Sequence, residues 1–288
     1  MDRHSRWMIK GSRGLDLSIP VIMGIVNCTP DSFFDGGRLR TVQAAVDYGM
    51  DLAAQGARIL DVGGESTRPG AKRVALAEEL TRTVPVLSGL ARQRDLRDLA
   101  CVLSVDTTKA GVAAAGLEAG AEIVNDISAC RFDPELLDVL VQYRPGYVLM
   151  HSLGRPQTMQ NHPRYKNVVE EILAFFQRQM DRFINAGLSE EQIILDPGIG
   201  FGKLLEHNLS ILREMDRFLI LGRPVLVGLS NKSLWHGLLD LELFERESAT
   251  QVATALMAVK GVSVHRVHDV ESASRTLRIV QALTACGA

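Results

Sequence analysis

Eight times along this chain a short apolar run gives way to polar and glycine residues and then to a stretch with helical spacing. The runs fall at 21–26, 58–62, 102–105, 122–124, 147–150, 193–195, 224–229 and 262–267. The helical stretches fall at 41–55, 75–92, 110–119, 134–143, 167–186, 207–218, 247–260 and 270–283. Strict alternation of this kind implies a parallel sheet covered by helices. Eight units in 288 residues imply a closed α/β structure, the (β/α)8 or TIM barrel, which needs about 250 residues. The competing architecture is a doubly wound open sheet, which alternation alone does not exclude. No G-x-G-x-x-G follows the first run, which weakens its dinucleotide-binding version. No composition break or linker interrupts the chain, so residues 1–288 read as a single domain. Residues 1–18 are polar and mixed, a short arm or an extra hairpin before the first core strand. Local signals agree: Thr41 is placed to cap a helix and Gly56 to end it. Pro134 suits a first helical turn. Val168, Ile172, Phe175, Phe176, Met180 and Phe183 mark one helical face as core.

Composition limits the function classes. A net charge of −2 and the lack of a basic stripe argue against a dedicated nucleic-acid binder. No apolar run approaches the roughly 20 residues of a membrane span, and the N-terminal stretch MDRHSRWMIKGSRG has no secretory h-region. Cys28, Cys101, Cys130 and Cys286 match no zinc or redox spacing. Together these features point to a reducing cytoplasm.

In a barrel all strand C-termini meet at one face, and that face carries the chemistry. The run ends and the loops after them hold Asn27, Arg68, Asp106, Asn125, His151, Asp196, Lys232, Arg266 and His268. Strand-end caps do not need both charge signs converging on one mouth. Asp106, Asn125 and Asp196 supply acceptors, and Asn125 also supplies donors. Such a set suits a flat heterocycle with an amino-substituted edge, which a carboxylate grips with two parallel hydrogen bonds. Arg68, Arg266, His268 and Asn27 suit an anion with several oxygens, such as a pyrophosphate. A lone Mg2+ usually binds through one or two protein oxygens plus substrate phosphates. Asn27 with a carboxylate such as Asp31 or Asp35 would suffice. No His/Cys cluster suits zinc, and Ser66, Ser230 and Ser233 lack a nucleophile-elbow context. The segment 28–37, CTPDSFFDGG, reads as a turn-rich loop whose two phenylalanines are unusual for a plain connector. His4, His162, His207, His236 and His265 read as surface or packing residues.

The motifs resemble those of the dihydropteroate synthase family. The matching stretches are MGIVNCTPDSFFDGG (23–37), DVGGESTRPGA (61–71), SVDTTK (104–109), NDIS (125–128), MHSLGRPQTMQ (150–160), ILDPGIGFGK (194–203), SNKS (230–233) and RVHDV (266–270). They follow the family's order and span nearly the whole chain. The resemblance implies a TIM barrel, a homodimer, and condensation of 6-hydroxymethyl-7,8-dihydropterin diphosphate with 4-aminobenzoate. It implies that Asp106, Asn125, Asp196, Phe201 and Lys232 hold the pterin with Arg266 against it. It implies that Asn27, Arg68, Arg266 and His268 hold the diphosphate, with Mg2+ on Asn27. Thr67, Pro69, Lys232 and Ser233 would border the aminobenzoate. Asp35, Arg68, Lys232, Arg266 and His268 would be the catalytic group.

The chain departs from the family pattern at Asn231, where the family usually has arginine, at Phe34, where a small residue is commoner, and at Cys28. An asparagine cannot supply the charge of an arginine fork to a carboxylate. The rival readings are a catalytically weak paralogue that binds the pterin diphosphate, a pteridine-dependent methyltransferase of the same superfamily, and a non-enzymatic barrel. The methyltransferase has no need of Arg68, Arg266 and His268, and the non-enzymatic barrel has no need of a metal-ready loop at 27–37.

Overall fold

Side chains alternate across a strand, so a strand buried on both faces must carry two sets of apolar residues. That division organises the computed structural model, which describes residues 5–11, 13–29 and 41–284. Eight strands are all parallel: β3 (Val21–Asn27), β4 (Ile59–Gly63), β5 (Val102–Asp106), β6 (Ile123–Asp126), β7 (Gly146–Met150), β8 (Ile193–Asp196), β9 (Leu226–Gly228) and β10 (Val264–Val267). They run in the order β8-β7-β6-β5-β4-β3-β10-β9. A parallel bridge between Leu195 and Val225 brings the two ends together and closes the ring.

One set of strand side chains, including Ile22, Val26, Leu60, Leu103, Val124 and Leu149, packs outward into a core shared with the helices. The other set, Val21, Met23, Ile59, Val102, Ile123, Val148, Ile194, Leu226 and Val264, forms a separate cluster inside the barrel. Two residues further along five of these strands, the same inward face carries Asp61, Ser104, Asn125, Asp196 and Arg266. The barrel is thus apolar at its N-terminal end and polar toward the strand C-termini.

Residues ahead of the first core strand seal the apolar end. Strands β1 (Arg6–Lys10) and β2 (Arg13–Asp16) pair antiparallel as a hairpin. Trp7, Ile9, Leu15 and Leu17 join the inner cluster, and Trp7 is fully buried. The indole Nε1 donates to the Gln192 carbonyl at 2.7 Å, so its polar edge is satisfied within the plug.

The helices are α1 (Val42–Ala54), α2 (Leu76–Leu96), α3 (Ala110–Glu118), α4 (Leu136–Tyr143), α5 (Val168–Ala186), α6 (Leu205–Arg213), α7 (Leu234–Leu239), α8 (Glu247–Val259) and α9 (Val270–Thr284). Thr41 caps α1 by accepting from the Ala44 amide at 3.1 Å. Asn167 caps α5 by accepting from Val169 and Glu170. Four details differ from the expected elements. Pro134 sits in the turn ahead of α4 rather than in its first turn. Helix α2 continues to Leu96 and holds Pro85 within it. The sixth helix ends at Arg213 and continues as a 3-10 turn over Met215–Leu221. The connection after β9 contains α7, a helix too short for periodicity to reveal. Among the described residues no helix is long and apolar enough to cross a membrane.

Candidate active site

Arg266 is the centre of the polar end. It stands on β10, and its Nε donates to Asp61 Oδ2 at 2.7 Å while Nη2 donates to Asp106 Oδ2 at 2.7 Å. Asn125, on β6, donates from Nδ2 to the same Asp61 oxygen at 2.9 Å. Strands β4, β5, β6 and β10 are thereby tied together on their inward faces. Asp61 is fully buried and Asp106 nearly so. Burial raises the Asp106 carboxyl above the usual carboxylate range; Arg266 opposes that shift, and Asp61 adds to it. The two carboxylates leave three guanidinium N–H donors for other partners. Asp61 Oδ1 and Ser104 Oγ lie on neighbouring strands, buried and without a hydrogen-bond partner among the described residues. Such groups are costly unless a water or a ligand completes them. By contrast Asp126 serves local structure, accepting from the amides of Ser128 and Cys130 and from the Tyr147 hydroxyl.

The glycine-rich loop after β8 presents the second carboxylate. Asp196 is buried, and its Oδ1 accepts from the Gly198 amide at 2.7 Å. Burial raises this carboxyl, while the Gly198 amide and the charges of Lys232, Lys203 and Arg266 oppose. Gly198 has a φ of +69°, and a Cβ there would lie 2.0 Å from the His151 carbonyl oxygen. Lys203 staples the loop to the end of β7. Its Nζ lies 2.9 Å from the Gly198 carbonyl, 3.1 Å from that of Phe201 and 3.3 Å from that of His151. The same Nζ is 3.0 Å from His151 Nδ1. Burial drives the Lys203 amine down to about 7, and burial likewise holds the His151 ring neutral. Lys232 Nζ stands 4.5 Å over the Phe201 ring, a cation–π contact. Burial lowers the Lys232 amine to about 8, with Asp196 opposing.

The segment after β4 is anchored at its root. Glu65 and the fully buried Glu79 both pair with Lys109, and Thr107 Oγ1 donates to Glu79 at 2.6 Å. Arg82 donates to the Gly64 carbonyl at 2.9 Å. Thr67 is half-buried beside Arg68 and Pro69, which are exposed. Thr67 and Asp106 both border a cavity of about 200 Å³. Beyond β9, Ser230 Oγ and Asn231 Nδ2 lie 3.0 and 3.1 Å from His268 Nδ1. Burial, then the charges of Arg266, Arg68 and Lys232, push the His268 ring down to about 3. Ser233 is exposed at the start of α7.

Asp106, Asn125, Arg266, Asp196, Lys232, Phe201 and His268 thus meet at one end of the barrel. Asn27 closes β3 on the inward register, half-buried. Asp31, Phe33, Phe34 and Asp35 lie outside the described residues. His207 and His265 have packing roles: His207 accepts from the Leu204 amide, and His265 is buried with its ring pushed down to about 4. Reading the run ends alone misses Asp61 and Lys203. The signal for Asp61 was a carboxylate inside an apolar run, in step with Ile59 on the inward face. Among the described residues no group of three or more His, Cys, Asp or Glu side chains could hold a metal. Asn27 offers one carboxamide oxygen, enough for a Mg2+ whose other ligands are phosphates and water.

A model of the family described as pterin binding enzyme matches residues 23–268. The dihydropteroate synthase of Synechocystis sp. is 43% identical over 263 residues, covering 91% of this chain and 89% of its own. That of Escherichia coli K12 is 41% identical over 268 residues, 93% of each chain. Among solved structures, Xanthomonas albilineans dihydropteroate synthase with 4-aminobenzoic acid has 41% identity and a TM-score of 0.89, covering 99% of this chain and 100% of that one. The same enzyme in complex with 7,8-dihydropteroate has 38% identity and a TM-score of 0.85, with 98% and 100% covered. With the family match running from β3 to the end of the RVH motif, the chain belongs to the pterin-binding enzymes and, among them, to the dihydropteroate synthases.

Proposed function

We propose that this enzyme condenses 6-hydroxymethyl-7,8-dihydropterin diphosphate with 4-aminobenzoate, giving 7,8-dihydropteroate and pyrophosphate. The observation that carries the reading is the inward-facing set Asp106, Asn125 and Asp196 with Arg266 held between two carboxylates. Relatives solved with 4-aminobenzoic acid and with 7,8-dihydropteroate support it. In this reading Asp106, Asn125 and Asp196 grip the amino-substituted edge of the pterin, with Phe201 and Lys232 beside it. Arg68, the remaining donors of Arg266, and His268 hold the diphosphate. Thr67, Pro69, Lys232 and Ser233 border the aminobenzoate.

The reaction breaks the bond from the exocyclic CH2 to the bridging oxygen, and the electron pair leaves with pyrophosphate. Donors already in place on Arg266, Arg68 and His268 stabilise the charge that grows on that oxygen. The electron-rich dihydropterin delocalises the positive charge left on the CH2, so a dissociative, SN1-like path fits. The arylamine nitrogen then bonds to the CH2 and loses its proton to solvent. At neutral pH it is already a free nucleophile and needs no strong base. Asn27 would contribute a ligand to Mg2+, which when bound would neutralise diphosphate charge. Asp35 enters as a catalytic candidate on family resemblance.

Two coarser features extend the proposal. Helices α6, α7 and α8 present an apolar groove of about 540 Å³, bordered by Leu238, Leu239, Val252 and Leu256, all exposed. A patch of this kind marks an interface, and a second copy of the chain is the occupant proposed. The absence of a membrane-spanning helix among the described residues and the buried thiols of Cys101 and Cys130 suit the cytoplasm.

The test is to incubate the protein with Mg2+, the dihydropterin diphosphate and 4-aminobenzoate and to measure dihydropteroate. Mg2+-dependent product that is lost in Arg266→Ala is the expected result. Diphosphate binding without product would turn the reading toward the weak paralogue.

A further inference from the structure

We propose that Asn231 is a positioning residue which, together with Ser230, holds His268 in the Nε2–H tautomer, so that Nε2 is the ring atom that donates to the diphosphate. The inference rests on the diphosphate reading above and adds how the ring is set for it. The local chain explains the geometry. After β9 the backbone turns, and Asn231 takes a φ of +61°. Asparagine enters this left-handed region more readily than other side chains except glycine. Arg246 Nη1 donates to the Asn231 carbonyl at 3.2 Å and holds the turn there.

In that conformation the Asn231 amide nitrogen lies 3.1 Å from His268 Nδ1. An amide nitrogen only donates. Ser230 Oγ lies 3.0 Å from the same Nδ1 and accepts from the His268 backbone amide at 3.4 Å. That amide takes one of the two acceptor sites of the hydroxyl and leaves its proton free to point to the ring, as the second donor to Nδ1. Two donors therefore converge on Nδ1, and a proton on Nδ1 would oppose the amide hydrogens of Asn231. The ring proton belongs on Nε2, since the partner of one ring nitrogen sets the state of the other. Burial and the charges of Arg266, Arg68 and Lys232 keep the ring neutral above about pH 3. The tautomer, not the charge, then decides what the ring offers.

The experiment records long-range 1H–15N correlations of 15N-histidine-labelled protein without ligand, with His268 assigned by difference against His268→Gln. The expected spectrum shows His268 Nδ1 unprotonated and Nε2 protonated. In Asn231→Asp the carboxylate accepts instead of donating, and the proton is expected to move to Nδ1. Calorimetry with pyrophosphate is then expected to show affinity lower by about tenfold, one hydrogen bond's worth. Asn231→Gly keeps the left-handed backbone and the Ser230 donor, so it should retain the Nε2–H form. A proton on Nδ1 in the unsubstituted protein, or no change of tautomer in Asn231→Asp, would overturn the inference. If pyrophosphate does not bind the unsubstituted protein, the diphosphate reading fails instead; the two failures are distinct because the tautomer is recorded without ligand.

Discussion

Arg266 places one positive charge between two carboxylates, and this arithmetic sets the residue-scale behaviour of the site. Asp61 and Asp106 each take one guanidinium edge. Asn125 adds a donor to Asp61, so Asp61 is held from two strands. In the proposed function it orients Arg266 and Asn125 for substrate. Replacing it by asparagine removes a charge from a fully buried position and leaves Arg266 with Asp106 alone. Orphaning a buried ion pair costs about 3–5 kcal/mol; here one partner remains, so the loss should be nearer about 1–3 kcal/mol. Asp61→Asn is therefore expected to lower unfolding stability by that amount in urea. It should also lower kcat/KM for the pterin diphosphate by at least about tenfold, because in the proposed function the diphosphate takes the remaining guanidinium donors in one orientation. Unchanged kinetics would mean that Asp106 by itself sets Arg266.

At the scale of elements, the loop after β8 works because it is stapled to the end of β7. Lys203 is the staple, and it is buried. Its amine titrates near 7 in the folded chain against an ordinary 10.5. Between those values the unfolded chain binds the extra proton, so this group makes stability rise with pH. Below about 7 the full cost of burying the charge is felt, and toward 10.5 it is relieved. Lys203→Met removes the titration. The unsubstituted protein is thus expected to gain on Lys203→Met as pH rises from 7 toward 10.5, by up to about 1.4 kcal/mol per unit at the steepest. Urea unfolding at pH 7, 8.5 and 10 reads this directly; a gap that stays constant would show that Lys203 is not desolvated. This loop also shows what the sequence makes legible. Asp196 stands out because an apolar run stops there, and barrel polarity carries every such stop to one face. The same logic finds Asp106 and Asn125, whereas Arg266, inside the run 262–267, is found through the RVHDV motif. Run ends miss Asp61, which sits inside its run and shows only through the period-two alternation, in step with Ile59. Run ends also miss Lys203, which holds two carbonyls of its own loop, Gly198 and Phe201, and one, His151, that only the fold brings close. Helix α7 escapes because six residues carry too little periodicity.

On the scale of the whole molecule, the barrel separates its tasks by end and by flank. The hairpin plug with Trp7 closes the apolar end, and the charged groups gather at the other. The flank at α6, α7 and α8 belongs to neither task, yet it connects to the site through the chain. Helix α7 begins two residues after Lys232, with Leu234 and Trp235 buried behind it and Leu238 and Leu239 turned to the surface. Val252 and Leu256 on α8 are 62% and 57% exposed, one helical turn apart and on the same face as the groove. A second copy laid on this flank would bury these residues and clamp α7, and through it the segment holding Lys232 and Ser233. The protein is thus expected to run as a dimer in light scattering, and Val252→Glu with Leu256→Glu to run as a monomer. Both substitutions lie on a surface, so the monomer should stay folded by circular dichroism. Its activity should fall through a higher KM for 4-aminobenzoate, because the border formed by Lys232 and Ser233 loses its support. A unsubstituted chain that is monomeric at micromolar concentration would refute the interface; a monomeric variant with unaltered KM would keep the interface and remove its link to the site.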